Sequence, residues 1–353
     1  MDLTPYLKLM VQKRASDLFL TVNSRINIKL EGRVVAVGRT VLTADMTRDA
    51  AYNIMSDKQI REFEDSMESD FAIALPDNAG RFRVNVFRQR GDVGLVLRLI
   101  PSKIPTMEDL NLPPVLTELI LRKRGLILMV GSAGSGKSTT LAAMLDYRNK
   151  NSAGHILTIE DPVEFSHPNR RSIINQREVG VDTHSYQNAL KASLREAPDV
   201  ILIGEIRSRE TMEAVMELCN TGHLVVSTLH SNNANQALER VVNMFPQSLH
   251  KQLFMDLSLN LVAIISQRLV MGLKNRRCAA IEILVNTPHI ADLILKGQVH
   301  EIKDIMEGSG VKGMVTFDSA LYDLYNSGQI SEEEALNNAD SKTNLEAKIN
   351  FGE

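Results

Sequence analysis

The chain has 353 residues, 44% of them hydrophobic and 24% charged, which are values of an ordinary globular protein; at about 150 residues per domain, the length predicts two domains. A formal net charge of -3 gives no electrostatic case for nucleic-acid binding, so no nucleic-acid partner is expected. No apolar run approaches the ~18 residues of a membrane span and Met1-Asp2-Leu3-Thr4 lacks signal-peptide character, so the expected location is the cytoplasm or the periphery of a membrane complex, where Cys219 and Cys278 would be buried, reduced thiols.

In chain order, Leu3, Leu7, Leu9 and Met10 predict a first helix. Residues 17–22 and 26–30 read as strands, and the turn Glu31-Gly32 leads into a hairpin partner at 33–37. Helices are expected from Ala44 to Met55 and from Ser56, where Ser56 and Gln59 have the spacing of a capping box. In the strand 81–87, period two sends Phe82, Val84 and Val86 to the core and leaves Arg81 and Arg83 side by side on the other face. Those arginines belong either to a solvated sheet face or to the phosphates of a bound nucleotide. The segment Pro101-Ser102-Lys103-Ile104-Pro105 reads as the linker, because its two prolines can continue neither a helix nor a central strand. The expected layout is an N-terminal domain over 1–100, a linker over 101–111, a second domain over 112–330 and a polar tail over 331–353, the tail being a short helix followed by a mobile end.

The second domain is built around Gly131-Ser132-Ala133-Gly134-Ser135-Gly136-Lys137-Ser138-Thr139, an instance of G-x-x-x-x-G-K-[ST]. The apolar run 126–130 before it suits a strand buried on both faces, and Thr140-Leu141-Ala142-Ala143-Met144-Leu145 after it suits a helix. Strand, glycine turn and helix N-terminus in that order make a phosphate cradle: glycines let backbone N–H groups point inward, and the helix adds its positive dipole end. Lys137 would reach the β- and γ-phosphates of ATP, and the Ser138 hydroxyl would ligate Mg²⁺. The motif predicts a nucleotide triphosphatase.

Apolar runs at 155–159, 200–203 and 224–229 alternate with helical stretches, the pattern of a parallel sheet covered on both faces, so the fold class is α/β. In such a sheet ligands sit beyond the carboxyl ends of the strands, which selects Glu160 and Glu164 after the first run, Glu205 after the second and His230 after the third. Glu205 suits a carboxylate that holds Mg²⁺ or orients the attacking water, and Glu160 and Glu164 are each candidates for the general base. His223 and His230 are seven residues apart and point to opposite faces of a strand, so they form no metal pair; His230 is either within reach of a γ-phosphate or simply structural.

The loop 131–139, the acidic stretch 159–165, the strand 199–205 and the segment 221–230 resemble, in order and spacing, the four boxes of the secretion-type ATPases. The resemblance is to the PilT/PilU family of type IV pilus retraction ATPases, and it extends to Gly80-Arg81-Phe82-Arg83-Val84-Asn85 and to residues 141–147. It implies a PAS-like N-terminal domain joined to a RecA-like ATPase domain, and a homo-hexameric ring that hydrolyses ATP with Mg²⁺. It also implies that Arg81 and Arg83 reach the ATP site, and that the ring acts on an inner-membrane pilus platform protein at the cytoplasmic face. The zinc site of the extension motors is not implied, because this chain has only two cysteines. Three departures from the PilT pattern point to the accessory, PilU-type member that acts with a PilT-like retraction ATPase. These are Ser132-Ala133 in place of Pro-Thr, the segment His289-Ile290-Ala291-Asp292-Leu293-Ile294-Leu295 without the arginine of its PilT counterpart, and the polar tail. The alternative is a ring that binds nucleotide and docks on the PilT motor with little hydrolysis of its own.

Overall fold

The computed structural model describes all residues except 31, 77–79, 102, 274–275, 309 and 352–353, and these form two compact units. The first comprises Met1–Lys103 together with Asp161–His167 and Glu178–His184; the second comprises Ile104–Glu160, Pro168–Arg177 and the chain from Ser185 onward.

The first unit runs α1 (Thr4–Lys13), β1 (Asp17–Leu20), β2 (Arg25–Leu30), β3 (Arg33–Val41), α2 (Ala44–Tyr52), α3 (Asp57–Ser66), β4 (Glu68–Ala74), β5 (Arg81–Gln89) and β6 (Asp92–Ile100). Its six strands lie in the order β3-β2-β1-β6-β5-β4, with each neighbouring pair antiparallel. The expected alternation holds in β5, where Phe82, Val84 and Val86 are buried against Leu95, Leu97, Met10, Ala51 and Phe63. The β2–β3 hairpin forms as expected, although Glu31 of its turn lies outside the described residues. Helix α3 carries the expected capping box: Ser56 Oγ accepts from Gln59 N, and Gln59 Oε1 accepts from Ser56 N.

Two stretches from the middle of the chain join this unit instead of the sheet around them. Ser166 N donates to Pro101 O, Val163 N donates to Glu178 Oε2, and Arg81 lies 3.7 Å from the same carboxylate. The linker reading also shifts: Ile104 already belongs to the second unit, whose core buries Met107 and Leu112, while Ser102 lies outside the described residues.

The second unit contains α4 (Val115–Ile120), β7 (Gly125–Val130), α5 (Lys137–Asn151), β8 (Gly154–Glu160), β9 (Ser172–Glu178), α6 (Tyr186–Ser193), β10 (Val200–Ile203), α7 (Arg209–Asn220), β11 (Leu224–Leu229), α8 (Ala234–Asn243), α9 (His250–Asn260), β12 (Leu261–Met271), β13 (Arg277–Val285), α10 (Pro288–Lys296), α11 (Ile302–Gly308), α12 (Phe317–Asn326), α13 (Glu332–Asn338) and α14 (Lys342–Phe351). The sheet order is β13-β12-β7-β11-β10-β8-β9. Strands β12, β7, β11, β10 and β8 are mutually parallel, and β13 turns back antiparallel on β12. Every residue of β7, β10 and β11 is buried, as expected of strands with helices on both faces. All four strands expected from apolar runs form, and β9, β12 and β13 enlarge the sheet.

The mobile tail expected beyond 331 is corrected. Residues 332–338 and 342–351 are helical, and Ala335 and Leu345 are buried in a small core with Val270, Ala280, Phe317, Leu321 and Ile330. A polar segment with two well-placed apolar residues docks because its neighbours supply the rest of the apolar surface. Among the described residues no helix is long and apolar enough to cross a membrane.

Candidate functional site

Strand β7 ends at Val130 and α5 begins at Lys137, so the glycine loop is a tight six-residue bridge between them. Gly131, Gly134 and Gly136 take φ of +151°, +76° and +87°, values that favour glycine. At Gly131 a Cβ would lie 2.5 Å from Ser135 Oγ and 2.6 Å from Gln267 O, so the loop needs a bare backbone there. Lys137 is only 8% exposed and folds back over the loop, its Nζ donating to Gly131 O and Ser132 O at 2.8 Å each. Burial pushes its pKa below the ordinary lysine value, and the Glu205 carboxylate opposes that shift. Ser132, Ala133, Gly134 and Ser138 are exposed, and Thr139 is half-buried. Ser135 Oγ is buried without a hydrogen-bond partner among the described residues.

The strand register brings the acidic candidates of this unit to the loop's end of the sheet. Ile203 lies opposite both Ile159 and Ser227, so Glu160, Glu205 and His230 all leave the sheet on the same edge. Thr228 Oγ1 donates to Gly204 O at 2.6 Å and Ile206 N donates to Thr228 O at 2.9 Å, which fixes the turn carrying Glu205. The Glu205 carboxylate pairs with Arg207 and lies 3.4 Å from His230 Nε2. Glu160 is buried and accepts from Thr158 Oγ1 at 2.6 Å, with Gln176 Nε2 3.4 Å from the same oxygen. His223, at the opposite end of β11, bonds locally to Thr221 Oγ1 and Leu218 O.

Arg81, Arg83 and Glu164 belong to the first unit. Glu164 is exposed there. The two arginines are not on an open face: each side chain is about one-third exposed and has a carboxylate nearby, Glu178 at 3.7 Å for Arg81 and Asp70 at 3.5 Å for Arg83. The buried thiols expected from sequence are one buried, Cys219, and one half-buried, Cys278. Among the described residues no group of three or more His, Cys, Asp or Glu side chains is placed to hold a metal by itself.

Three polar residues of the β12–β13 ribbon were not singled out by the sequence reading. Gln267 is buried, accepts from Thr140 Oγ1 at 2.7 Å and donates to Ser135 O at 2.8 Å, clipping the loop to the first turn of α5. Arg268 lines the loop's cleft of about 460 Å³. Glu282, also buried, accepts from Ala234 N and Ser266 Oγ and so caps α8. The available signal was the polar triplet Ser266-Gln267-Arg268 inside an apolar run, since buried polar side chains in a strand need specific partners.

A bare-backbone loop over a helix N-terminus, at the carboxyl edge of a largely parallel sheet, defines a P-loop nucleotide-binding domain of the RecA-like α/β type, here preceded by a separate α/β unit. The chain belongs to the family described as type II/IV secretion system protein, which it matches over residues 2–334. It is 52% identical to the type IV pilus ATPase PilU of Pseudomonas aeruginosa, over all of this chain and 92% of the relative. It is 42% identical to the type IV pilus retraction ATPase PilT of the same organism, over 96% of this chain and 98% of the relative. A crystal structure of the pilus retraction motor PilT with bound ADP superposes with a TM-score of 0.91 at 39% identity, covering 98% of this chain and 99% of that one.

Proposed function

We propose that the chain is a Mg²⁺-dependent ATPase that powers type IV pilus retraction and twitching motility. It is of the accessory kind that acts with a PilT-like motor, as a homo-hexamer at the cytoplasmic face of the inner membrane against a pilus platform protein. The observation that carries the reading is Lys137, held inside the phosphate loop by two carbonyl oxygens and electrostatically opposite Glu205. Phosphate oxygens are stronger acceptors than carbonyls, so the ammonium is preorganised to exchange one set of partners for the other. The full-length likeness to PilU and PilT supports the biological role.

The residues fit a magnesium nucleotide. The loop leaves no room for a side chain at Gly131, Ser135 Oγ is buried with no partner among the described residues, and Ser138 is exposed in the first turn of α5. Ser138 and Glu205 would hold the metal, which supplies charge neutralisation across the phosphates when bound. Residues 131–139 bind the triphosphate through backbone N–H groups and Lys137. Glu205 orients the attacking water, Glu160 takes up its proton, and His230 beside Glu205 restrains the carboxylate. Purified protein is expected to hydrolyse ATP and Lys137→Ala to lose on the order of 10²-fold or more in turnover. Unchanged turnover in that variant refutes the assignment.

A further inference from the structure

The C-terminal segment lines a cleft beside the phosphate loop. The cleft along the phosphate loop is walled by Asn232 and Arg268, and also by Glu334 and Asn338 of α13. The family match ends at residue 334, short of Asn338 and of the Asp340 that follows it.

Arg268 is held on several sides. Its Nη1 donates to Asn338 O at 2.7 Å and its Nη2 to Asp340 Oδ1 at 2.6 Å, while its guanidinium carbon lies 3.9 Å from the centroid of the Phe317 ring. Nη2 also reaches Asn232 O at 3.3 Å, in the loop that follows His230. Asp340 is itself anchored: its N–H and that of Ser341 donate to the two carboxylate oxygens of Asp318 at 2.7 and 3.0 Å, and Lys303 lies 3.6 Å from Asp340 Oδ2. The same oxygen lies 3.5 Å from Asn233 Nδ2.

We infer that Asp340 is a positioning residue for ATP turnover: it fixes Arg268, and the pair fixes the loop 230–233 that presents His230 to Glu205. The inference rests on the ATPase reading above and adds the tail to it. Among the described residues the phosphate loop makes no hydrogen bond to this network, so loss of Asp340 displaces the loop bearing His230 while leaving the cradle for the triphosphate in place. The effect therefore falls on kcat and spares binding.

The test measures kcat, KM for ATP and the Kd of a fluorescent ATP analogue for full-length wild type, Asp340→Ala, Arg268→Ala and the double variant, with Asp340→Glu and Asp340→Asn as conservative forms. Asp340→Ala is expected to lower kcat on the order of tenfold with KM and Kd within about twofold, since small misplacements of reacting groups cost that much or more. Arg268→Ala should match it, the double variant should be no worse than either single one, and Asp340→Glu should recover most of the loss. Additive losses, or an unchanged kcat in Asp340→Ala beside an inactive Lys137→Ala, overturn the inference and leave the ATPase reading standing. A wild type that does not turn over ATP sinks both. If Asp340→Ala does not fold, Asp340→Asn, which keeps the side-chain shape, carries the same expectation and the same refutation.

Discussion

Gln267→Leu removes the clip between the phosphate loop and α5 at nearly constant volume. The native amide makes two bonds inside the protein, one to Ser135 O and one from Thr140 Oγ1, and none of the three residues is exposed at this contact. Leucine leaves a carbonyl and a hydroxyl buried without these partners, at about 1–3 kcal/mol each. Thr140 can turn its hydroxyl toward a backbone carbonyl of its own helix, as Ser and Thr often do, so about 2–4 kcal/mol is expected in total. At roughly 2–4 °C per kcal/mol for a domain of 150–250 residues, the melting transition of the second unit should fall by about 4 °C or more. Because Ser135 belongs to the loop, part of the loss should also appear as weaker nucleotide binding, where each 1.4 kcal/mol is about tenfold in Kd. Differential scanning fluorimetry with and without ADP, and titration of a fluorescent ATP analogue, read the two effects. Gln267→Glu separates the bonds, since it keeps an acceptor for Thr140 but turns an oxygen toward Ser135 O. A Gln267→Leu protein that melts and binds nucleotide like wild type refutes the clip.

Glu282 is buried and its pKa is raised, chiefly by desolvation, so the native state binds its proton more tightly than the unfolded chain. That contribution is fully present below the unfolded pKa and is lost as pH rises through the folded value; Glu282→Gln, which keeps an acceptor for Ala234 N, should therefore gain in melting temperature relative to wild type between pH 5 and pH 8, and a difference that does not change with pH rejects the reasoning. Burial pushes the Cys219 thiol up to about 12, while Cys278 is half-buried, so iodoacetamide at neutral pH should label Cys278 and leave Cys219 untouched until the protein is unfolded, as read by mass spectrometry. Leu345 is 1% exposed in the core shared by α12–α14, and Leu345→Ala should cost about 2–5 kcal/mol in the stability of that corner and expose 331–351 to limited proteolysis. A tail that is cut equally fast in wild type and variant would mean it was never docked.

The phosphate loop and the residues at the strand ends were legible because their signals are local. Glycine spacing, a lysine at the helix start and a polar residue directly after four to six buried ones each constrain their own few residues, whatever the rest of the chain does. The same locality explains why β5 was read down to its alternation, whereas the carboxylates beside its arginines, Glu178 and Asp70, come from other stretches of chain and left no local signal. Tertiary structure alone decided which strands lie beside β7. By pairing β12 with it, the fold sets Gln267 against Ser135, 132 residues away in sequence, and Arg268 against Asp340, 72 residues away. It likewise drew 161–167 and 178–184 into the first unit and turned a polar tail into two docked helices. Short-range pattern specifies where a strand or turn begins; which buried polar group meets which partner depends on the faces left to be covered once all the elements have packed.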